Sequence, residues 1–405
     1  MKFTKSCVIF RPMKEWRTPI KLILIIILGA GIFASGFYFG KQEKKFVDPF
    51  EEMDLSLLSE VYHRLELNHP EFEDTSEEEL VHGMIEGMIG ALDDPHTAFF
   101  DPERSKIFLE DVAGEFEGVG IEIGIRDGAL QVISPLEGTP ADKAGLRSGD
   151  VIMSVDGDST EDFTLEEAVH RIRGPKGEEV VLGILRNGEE KDFSVERDTI
   201  KPPSLEWSFI EEDTVHIEIF HFHENVGTEF SRMANEVKES PADKIILDLR
   251  GNPGGIFETA IDISGHFVGL NETVVVESSS KDKGQDAEEI EARGILPAFE
   301  DHSVVVLIDE GSASGSEIVA GALRDKRDAP IVGKRSFGKG SIQRLHDLSG
   351  GSMIKITEKY FFTPEGDLIN GKGIEPDFEV EITREHWEED EDPQLERALE
   401  VISDK

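Results

Sequence analysis

The hydrophobic pattern of this chain changes at Lys201-Pro202-Pro203, and the change indicates a multidomain fold. Before it, residues 116–198 form short runs of alternating apolar and polar residues separated by glycine-containing turns, as in a small β-rich unit. After it, strand-like and helix-like runs alternate through residues 204–383, which is typical of an α/β domain. A chain of 405 residues is also longer than one hydrophobic core usually supports. We therefore predict at least two globular domains.

Three further segments flank or interrupt these domains. Residues 50–110 place apolar side chains at helical spacing, which predicts an amino-terminal helical cap, with a capping box at Ser76 and Glu79. Residues 277–300 are charged and lack periodicity, so we expect a surface insertion there. Residues 384–405 contain an acidic stretch followed by a plausible last helix.

The amino-terminal residues predict a membrane segment. Residues 22–39 are uncharged, and at 1.5 Å per residue such a helix nearly crosses a hydrocarbon core of about 30 Å. Six basic residues within residues 1–21 favour a cytoplasmic amino terminus, which would place the rest of the chain outside the cytosol. The run is long for a cleaved signal sequence, so we expect a transmembrane anchor, and cleavage with secretion is the alternative.

Charge restricts the classes of partner. The net charge is −43, and residues 1–45 carry +7, which leaves −50 on the rest of the chain. Such a surface repels phosphate backbones, so we expect no nucleic-acid partner. A solubility feature of a salty habitat explains the acidity more simply than selection of basic partners. The single cysteine, Cys7, excludes an intramolecular disulfide.

A glycine-rich turn opens the β-rich unit. It leads from Gly118 through Val119 and Gly120 into an alternating strand that begins at Ile121. Consecutive N–H groups at such a turn can bind a carboxylate, and the strand edge can pair with a peptide. Together with the Ser-Pro-Leu-Glu-Gly-Thr-Pro-Ala sequence of residues 134–141 and the Gly-Leu-Arg-Ser-Gly-Asp-Val-Ile sequence of residues 145–152, this unit resembles a PDZ domain in its circularly permuted bacterial form.

The PDZ resemblance implies that residues 118–121 bind the carboxyl terminus of a substrate. Val169 and Ile172 would line the groove, and Arg173 could couple the module to its neighbour. The alternatives are a PDZ-like fold that only packs against the next domain and a solvated turn for Arg173.

The candidate nucleophile, Ser314, follows a strand-like run and precedes a helix-like run. At such a turn a hydroxyl is exposed beside unpaired N–H groups, as acyl transfer requires. An ordinary capping box with Glu317 is the simpler interpretation of this motif alone.

Two other elements point to the same chemistry. Lys339 is isolated between glycines beside an aromatic residue, and a buried lysine loses its proton readily enough to act as a base, although an exposed turn lysine is commoner. A buried-looking strand at residues 245–249 opens into the turn that contains Gly254 and Gly255, whose free N–H groups could hold an oxyanion.

In this order, the three elements resemble the carboxyl-terminal processing peptidases, a family of tail-specific serine proteases with a PDZ domain and a Ser/Lys dyad. The resemblance covers residues 50–402 and implies an α/β core of crotonase-like ββα units. Ser314 matches the nucleophile, Lys339 the base 25 positions later, and Gln343 the residue that orients the lysine. Gly315 stands where alanine is usual, and Asp325 resembles an acidic residue near the dyad.

The implied activity is that of a serine endopeptidase that recognises carboxyl termini and processes or degrades exported proteins without a metal or other cofactor. Gly315 and either Gly254 or Gly255 would hold the oxyanion. A homo-oligomer is compatible with this function. The non-enzyme alternative is a catalytically silent PDZ scaffold.

Three other activities fit the sequence less well. A phosphate loop at residues 333–339 lacks the following Ser/Thr, because Gly340 stands there. A zinc site at His221 and His223 lacks an evident third ligand. None of the 12 histidines lies in a recognisable Ser/His/Asp setting.

Overall fold

A computed structural model describes residues 53–404, except residues 127, 162, 283, 285, 295, 296 and 390. The chain divides into two compact units, Met1–Leu80 and Val81–Lys405. Across the described residues, no helix combines the length and the apolar character that crossing a membrane requires. The predicted membrane segment, residues 22–39, lies outside the described part of the chain.

In the region predicted to be a helical cap, the described residues form three α-helices, a short 3-10 helix (Phe72–Asp74) and one strand. The helices are α1 (Ser56–Asn68), α2 (Glu77–Gly90) and α3 (Pro102–Ala113). The predicted capping box is present at the start of α2: Ser76 N–H donates to the Glu79 carboxylate at 2.7 Å, and the Ser76 hydroxyl accepts from Glu79 N–H at 3.1 Å.

The helical prediction is wrong for three residues of this region. Strand β1 (Ala98–Phe100) pairs antiparallel with β18 (Met353–Phe362), and it places Phe99 opposite Ile354. Phe99 is buried, so burial against a distant strand overrides the local helical pattern.

The β-rich unit contains a six-stranded antiparallel sheet. Its strand order is β3-β4-β5-β7-β8, with β6 paired to β5. The strands are β3 (Ile121–Arg126), β4 (Ala129–Pro135), β5 (Val151–Val155), β6 (Asp158–Ser159), β7 (Glu179–Arg186) and β8 (Glu189–Glu196). Helices α4 (Pro140–Ala144) and α5 (Leu165–Ile172) contribute Ala141 and Ala168 to its core. A separate pair, β2 (Phe116–Gly118) and β9 (Asp198–Ile200), joins the two ends of the unit.

The predicted α/β domain is built on a second six-stranded sheet in the order β10-β11-β12-β15-β16-β19. The strands are β10 (Leu205–Phe209), β11 (Thr214–Ile219), β12 (Lys244–Asp248), β15 (Ser303–Ile308), β16 (Ile331–Gly333) and β19 (Phe378–Glu379). All neighbouring strands are parallel except β10 and β11. The carboxyl ends of β12 and β15 therefore meet at one edge, where ligand sites of such sheets form.

Helices cover both faces of this sheet. Helices α6 (Val226–Lys238), α7 (Phe257–Val268) and α8 (Gly315–Arg327) pack with side chains such as Ile245 and Leu247. Helix α10 (Pro393–Ser403), which follows the short α9 (Arg384–Glu389), packs Ile402 with Ile246 and Leu307 from the other face. Alternate residues of β12 thus enter different cores, as the pleat requires.

A third sheet combines β1, β18, β13 (Thr273–Ser278), β14 (Glu288–Glu291) and β17 (Ser341–Asp347). Part of the predicted surface insertion belongs to it, because β14 pairs with β13. Phe299, also within residues 277–300, is fully buried in the main core. The surface prediction is therefore wrong for Phe299, whose charged neighbours conceal its role in the sequence, whereas the residues of β14 are exposed or half-buried.

Candidate active site

Ser314 lies at the turn between β15 and α8. It is the residue before the first turn of α8 and has φ 52° and ψ −108°, a backbone conformation that residues other than glycine rarely adopt. Ser314 and Glu317 form the capping box that the sequence suggested, with Ser314 N–H donating to the Glu317 carboxylate at 2.9 Å, and the Ser314 hydroxyl donates no hydrogen bond to any described residue. The hydroxyl thus remains available for chemistry, while the backbone is held in a strained conformation of the kind found at functional sites.

One buried carboxylate joins this turn to the loop that carries Lys339. Glu317 Oε2 accepts hydrogen bonds from the N–H groups of Ser314 and Lys339, both at 2.9 Å. Its Oε1 accepts from the Ser336 hydroxyl at 2.5 Å and from Gly338 N–H at 2.7 Å. Burial raises the pKa of Glu317, and these four hydrogen bonds oppose the increase. Glu317 therefore fixes the backbones of the candidate nucleophile and base relative to each other.

Lys339 is half-buried between two closely packed glycines. A Cβ at Gly338 would lie 3.0 Å from Gly373 N, and one at Gly340 would lie 2.2 Å from Asn370 N. Burial lowers the pKa of the Lys339 ammonium, and the Glu317 carboxylate opposes that decrease. Among the described residues, no hydrogen bond joins the Lys339 ammonium to the Ser314 hydroxyl. The structure therefore brings the two backbone segments together without bonding the two side chains.

The glycine turn after β12 lies directly against Ser314. An added Cβ at Gly254 would lie 2.7 Å from Ser314 Cβ and 2.8 Å from Gly315 N. The N–H of Gly254 is already used, because it donates to Asn252 Oδ1 at 2.8 Å. The N–H groups of Gly255 and Gly315 donate no hydrogen bond to any described residue. Of the predicted oxyanion donors, Gly255 and Gly315 are thus the free ones.

The predicted peptide-binding loop connects β2 to β3. Val119 is buried, and Gly120 has φ 79° with space for no side chain, because a Cβ would lie 2.4 Å from Thr139 Cβ. The carbonyl groups of Val119 and Gly120 accept backbone hydrogen bonds within the module. Their N–H groups make none to the described residues, which agrees with a carboxylate-binding turn from Gly118 to Ile121.

The predicted groove residues differ in exposure. Val169 is half-buried, whereas Ile172 belongs to the core of the module and is 4% exposed. The prediction that Ile172 lines the groove is therefore wrong, because the last turn of α5 turns this side chain into the core. Arg173 is not a solvated turn residue: its Nη1 lies 2.9 Å from Asp111 Oδ1 of α3, and its guanidinium stacks 4.4 Å from the centre of the Phe116 ring.

Comparison with known proteins identifies both domains. Residues 213–380 match the model of peptidase family S41, and residues 106–185 match the PDZ domain. A probable CtpA-like serine protease of Staphylococcus aureus (strain bovine RF122 / ET3-1) is 34% identical over 373 residues, which cover 92% of this chain and 74% of the relative. The chain belongs to peptidase family S41. It is a CtpA-like serine peptidase with a PDZ domain.

Other relatives of this S41 peptidase agree. A probable CtpA-like serine protease of Staphylococcus epidermidis is 33% identical over 370 residues, covering 91% of this chain and 74% of the relative. The photosystem II D1 C-terminal processing protease superposes with a TM-score of 0.52 at 26% identity, covering 82% of this chain and 88% of the other. A putative S41 protease of Bacteroides fragilis, at 14% identity, shares the fold with a TM-score of 0.55, covering 78% and 90% of the two chains.

In the described part of this S41 peptidase, no hydrogen bond joins Gln343 to Lys339. The Gln343 amide donates to the Ser341 hydroxyl at 2.7 Å and to the Thr357 hydroxyl at 3.4 Å. Asp325 pairs with Arg324 at 2.9 Å and accepts from Glu365 N–H at 2.9 Å. Asp325 thus has a partner within α8, and within the described part of the chain no hydrogen bond or ion pair joins it to Ser314 or Lys339.

The segment before β1 is linked to the same site, and no local sequence pattern indicates this link. Asp94 accepts hydrogen bonds from His96 N–H at 3.0 Å and from the Thr97 hydroxyl at 2.6 Å. Thr97 Oγ1 in turn accepts from Thr357 N–H at 3.1 Å, which places this segment beside the partner of Gln343. Burial, followed by the charge of Lys339, lowers the pKa of His96.

The sequence analysis also did not predict the side chains that join the turn at Ser314 to the glycine turn after β12. The Ser312 hydroxyl donates to Leu249 O at 2.7 Å, and the Ser316 hydroxyl donates to Asn252 O at 2.9 Å. Asp309 Oδ1 accepts from Gly251 N–H at 2.8 Å. Ser312 and Ser316 lie two residues before and after Ser314 in the sequence. Their spacing was the feature from which these two hydrogen bonds could have been predicted.

Arg250, just before the glycine turn, is held by two carboxylates. Its guanidinium donates to buried Asp248 at 2.6 Å and to Asp392, at the start of α10, at 2.8 and 2.9 Å. Gln394 also accepts from it at 3.1 Å. Two-sided, charge-assisted binding of this kind fixes a guanidinium strongly. The acidic carboxyl-terminal segment thus supports the loop that contains Gly254 and Gly255.

The phosphate loop and the zinc site, two of the three rival sites, lack support in the described part of the chain. A phosphate loop requires a helix after its lysine, whereas the S41 peptidase continues from Lys339 into strand β17. The rings of His221 and His223 stack with centroids 5.0 Å apart, yet the described residues contain no group of three or more potential metal ligands.

Proposed function

We propose that Ser314 is the nucleophile and Lys339 the general base of this peptidase. The observation that carries the proposal is the Glu317 carboxylate, which binds the backbone N–H groups of both residues. Burial supports the role of Lys339, because a lower pKa leaves more of the amine neutral at a given pH. A closure that brings the Ser314 hydroxyl within hydrogen-bonding distance of Lys339 would complete the dyad when substrate binds.

The proposed reaction is acyl transfer in two stages. Neutral Lys339 removes the Ser314 proton while the oxygen attacks the carbonyl carbon of the scissile bond, and the ammonium then returns the proton to the leaving amine. Water hydrolyses the acyl-enzyme by the same route and regenerates the hydroxyl. The free N–H groups of Gly255 and Gly315 are suited to hold the oxyanion at both stages. Gln343 would support Lys339 through Ser341.

Substrate selection is proposed to begin at the PDZ domain. The turn from Gly118 to Ile121 would bind the terminal carboxylate, and β3 would pair with the tail. The natural substrates would be exported proteins recognised by their carboxyl termini. Residues 22–39 would anchor the enzyme with its catalytic domain outside the cytosol, and this rests on the sequence alone. Crotonase-like ββα units and a homo-oligomer remain part of the proposal.

The test is cleavage of an unfolded model protein with an apolar carboxyl terminus by the purified full-length chain. Ser314→Ala and Lys339→Ala should each abolish cleavage without changing the melting temperature. Lys372→Ala, which replaces an exposed lysine, should leave cleavage unchanged. EDTA should have no effect. Replacing the apolar terminus with Asp-Asp should raise KM. Cleavage that survives both dyad substitutions would exclude the proposed mechanism.

A further inference from the structure

Phe337 is a large apolar side chain that folding leaves in water. It is 65% exposed, although its neighbours Ser336 and Gly338 are both buried. It lies two residues before Lys339, on the segment that Glu317 holds. The ring is therefore exposed on the segment that carries the proposed base.

The backbone that carries this ring is fixed at three consecutive residues. Phe337 N–H donates to Ser312 O at 2.9 Å, two residues before Ser314. The Ser336 hydroxyl and Gly338 N–H both donate to Glu317. The exposed ring is thus attached between the nucleophile turn and the base, and its Cα has little freedom to move.

An exposed ring on a fixed backbone has a low entropic cost of binding, because only two side-chain torsions must be ordered. Burying it against an apolar ligand releases water from both surfaces. Phe209 provides a contrast. It is also exposed, by 46%, but it lies on β10, the edge strand of the core sheet, and among the described residues no hydrogen bond joins it to the turn at Ser314 or to the segment of Lys339. Phe337 differs from Phe209 in its place in the chain, between the residues that hold Ser314 and Lys339, more than in its exposure.

We propose that Phe337 is a substrate-binding residue that packs its ring against the apolar side chain of a residue next to the scissile bond. The enzyme then prefers to cleave beside apolar residues, which are exposed in unfolded chains and buried in folded ones. This second selection acts at the cleavage site and is separate from binding of the carboxyl terminus by the PDZ domain. The proposal rests on the proposed function, because it requires cleavage at Ser314.

The test uses full-length enzyme and internally quenched peptides that share one apolar carboxyl terminus. One set has leucine on both sides of the scissile bond, and matched sets replace either leucine with serine. Phe337→Ala should lower kcat/KM for the leucine peptide by about tenfold and leave the serine peptides nearly unchanged, because only apolar contact is lost. Phe337→Leu should retain most of the activity, and Phe209→Ala should retain all of it.

Two further measurements separate the possible outcomes. The melting temperature of Phe337→Ala should match that of the wild type, since the ring is exposed, and the rate of Ser314 labelling by a small fluorophosphonate should also match. If Phe337→Ala lowers kcat/KM equally for the leucine and serine peptides, or lowers it for neither, the proposed contact between Phe337 and the substrate is wrong. If Ser314→Ala cleaves as well as the wild type, the proposed function fails instead.

Discussion

The Oε2 atom of Glu317 lies 2.9 Å from the backbone nitrogen of Lys339. The same atom accepts from Ser314 N–H, and Oε1 accepts from Ser336 and Gly338. Four donors therefore converge on one buried carboxylate that has no hydrogen to offer in its ionised form. The relative position of nucleophile and base thus depends on a residue that need not touch the substrate.

Glu317→Gln tests this dependence. If the NH2 replaces Oε2, the N–H groups of Ser314 and Lys339 both face a donor; if it replaces Oε1, the Ser336 hydroxyl can turn to accept from it, but Gly338 N–H still faces a donor. At least one buried N–H therefore loses its acceptor, and we expect the free energy of unfolding to fall by about 1–3 kcal/mol. Displacement of the loops should lower kcat by about 100-fold or more. Urea denaturation and steady-state kinetics measure the two effects. Glu310→Gln, on the exposed part of the same turn, should change neither, and unchanged kcat in Glu317→Gln would contradict the positioning role.

The pH dependence of cleavage tests the charge of Lys339. The base acts in its neutral form, so kcat/KM should rise as pH increases through the pKa of Lys339, which burial lowers. Lys355 interacts with the Lys339 charge, and its own pKa is lowered first by burial and then by that charge. Because the repulsion is mutual, Lys355→Met should raise the pKa of Lys339 and reduce activity at neutral pH.

The measurement is the midpoint of the rising limb of the kcat/KM profile. It should move to higher pH in Lys355→Met and stay in place in Lys372→Met, which removes an exposed lysine from a neighbouring loop. A midpoint that moves to lower pH would show that Lys339 is not the titrating base.

Gly254→Ala tests the contact between the glycine turn and the nucleophile. The new Cβ would overlap Ser314 Cβ and Ala313 O, both at 2.7 Å, and φ of 98° is unfavourable for alanine. Activity should fall below detection, and stability should fall by about 2 kcal/mol or more. Gly251→Ala is the matched control, because its φ is 65° and its Cβ would meet nothing within 4 Å. That variant should lose about 1 kcal/mol and remain active; an active Gly254→Ala enzyme would contradict the close packing.

Much of this architecture follows from local sequence. The alternation of strands and helices, the glycine turns of the PDZ domain and the turn at Ser314 are local patterns, and the structure contains all of them. Glu317 was visible only as a capping residue, because its bonds to Ser336, Gly338 and Lys339 depend on the fold. The bond between Thr97 and Thr357 joins residues 260 positions apart, and no periodicity in either segment indicates it.

Acid stability should depend on His266, which is 5% exposed in the core. The Ser231 hydroxyl donates to Gly227 O, so His266 Nε2–H must donate to Ser231. His266 Nδ1 is buried without a partner among the described residues, and burial lowers the pKa of His266 from 6.5 to about 4. The unfolded chain therefore binds a proton more readily than the folded one between these values.

Stability from His266 is complete above its unfolded pKa and is lost as pH falls toward its folded pKa. Between pH 8 and pH 5 the loss should be about 2 kcal/mol. His266→Gln retains a donor for Ser231 and cannot take up the proton, so its free energy of unfolding should fall less over this interval. Urea titrations at both pH values measure the difference; equal losses in the two proteins would exclude His266 as the source.

The two carboxylates that hold Arg250 come from opposite parts of the chain. Asp248 is two residues away, whereas Asp392 is 142 residues further on. Since ribosomes make proteins from the amino terminus, the second carboxylate is added 142 residues after Arg250. The support of the glycine turn is therefore incomplete until residue 392 has been made, and a nascent chain that ends before it lacks the contact that holds Arg250 from the second side.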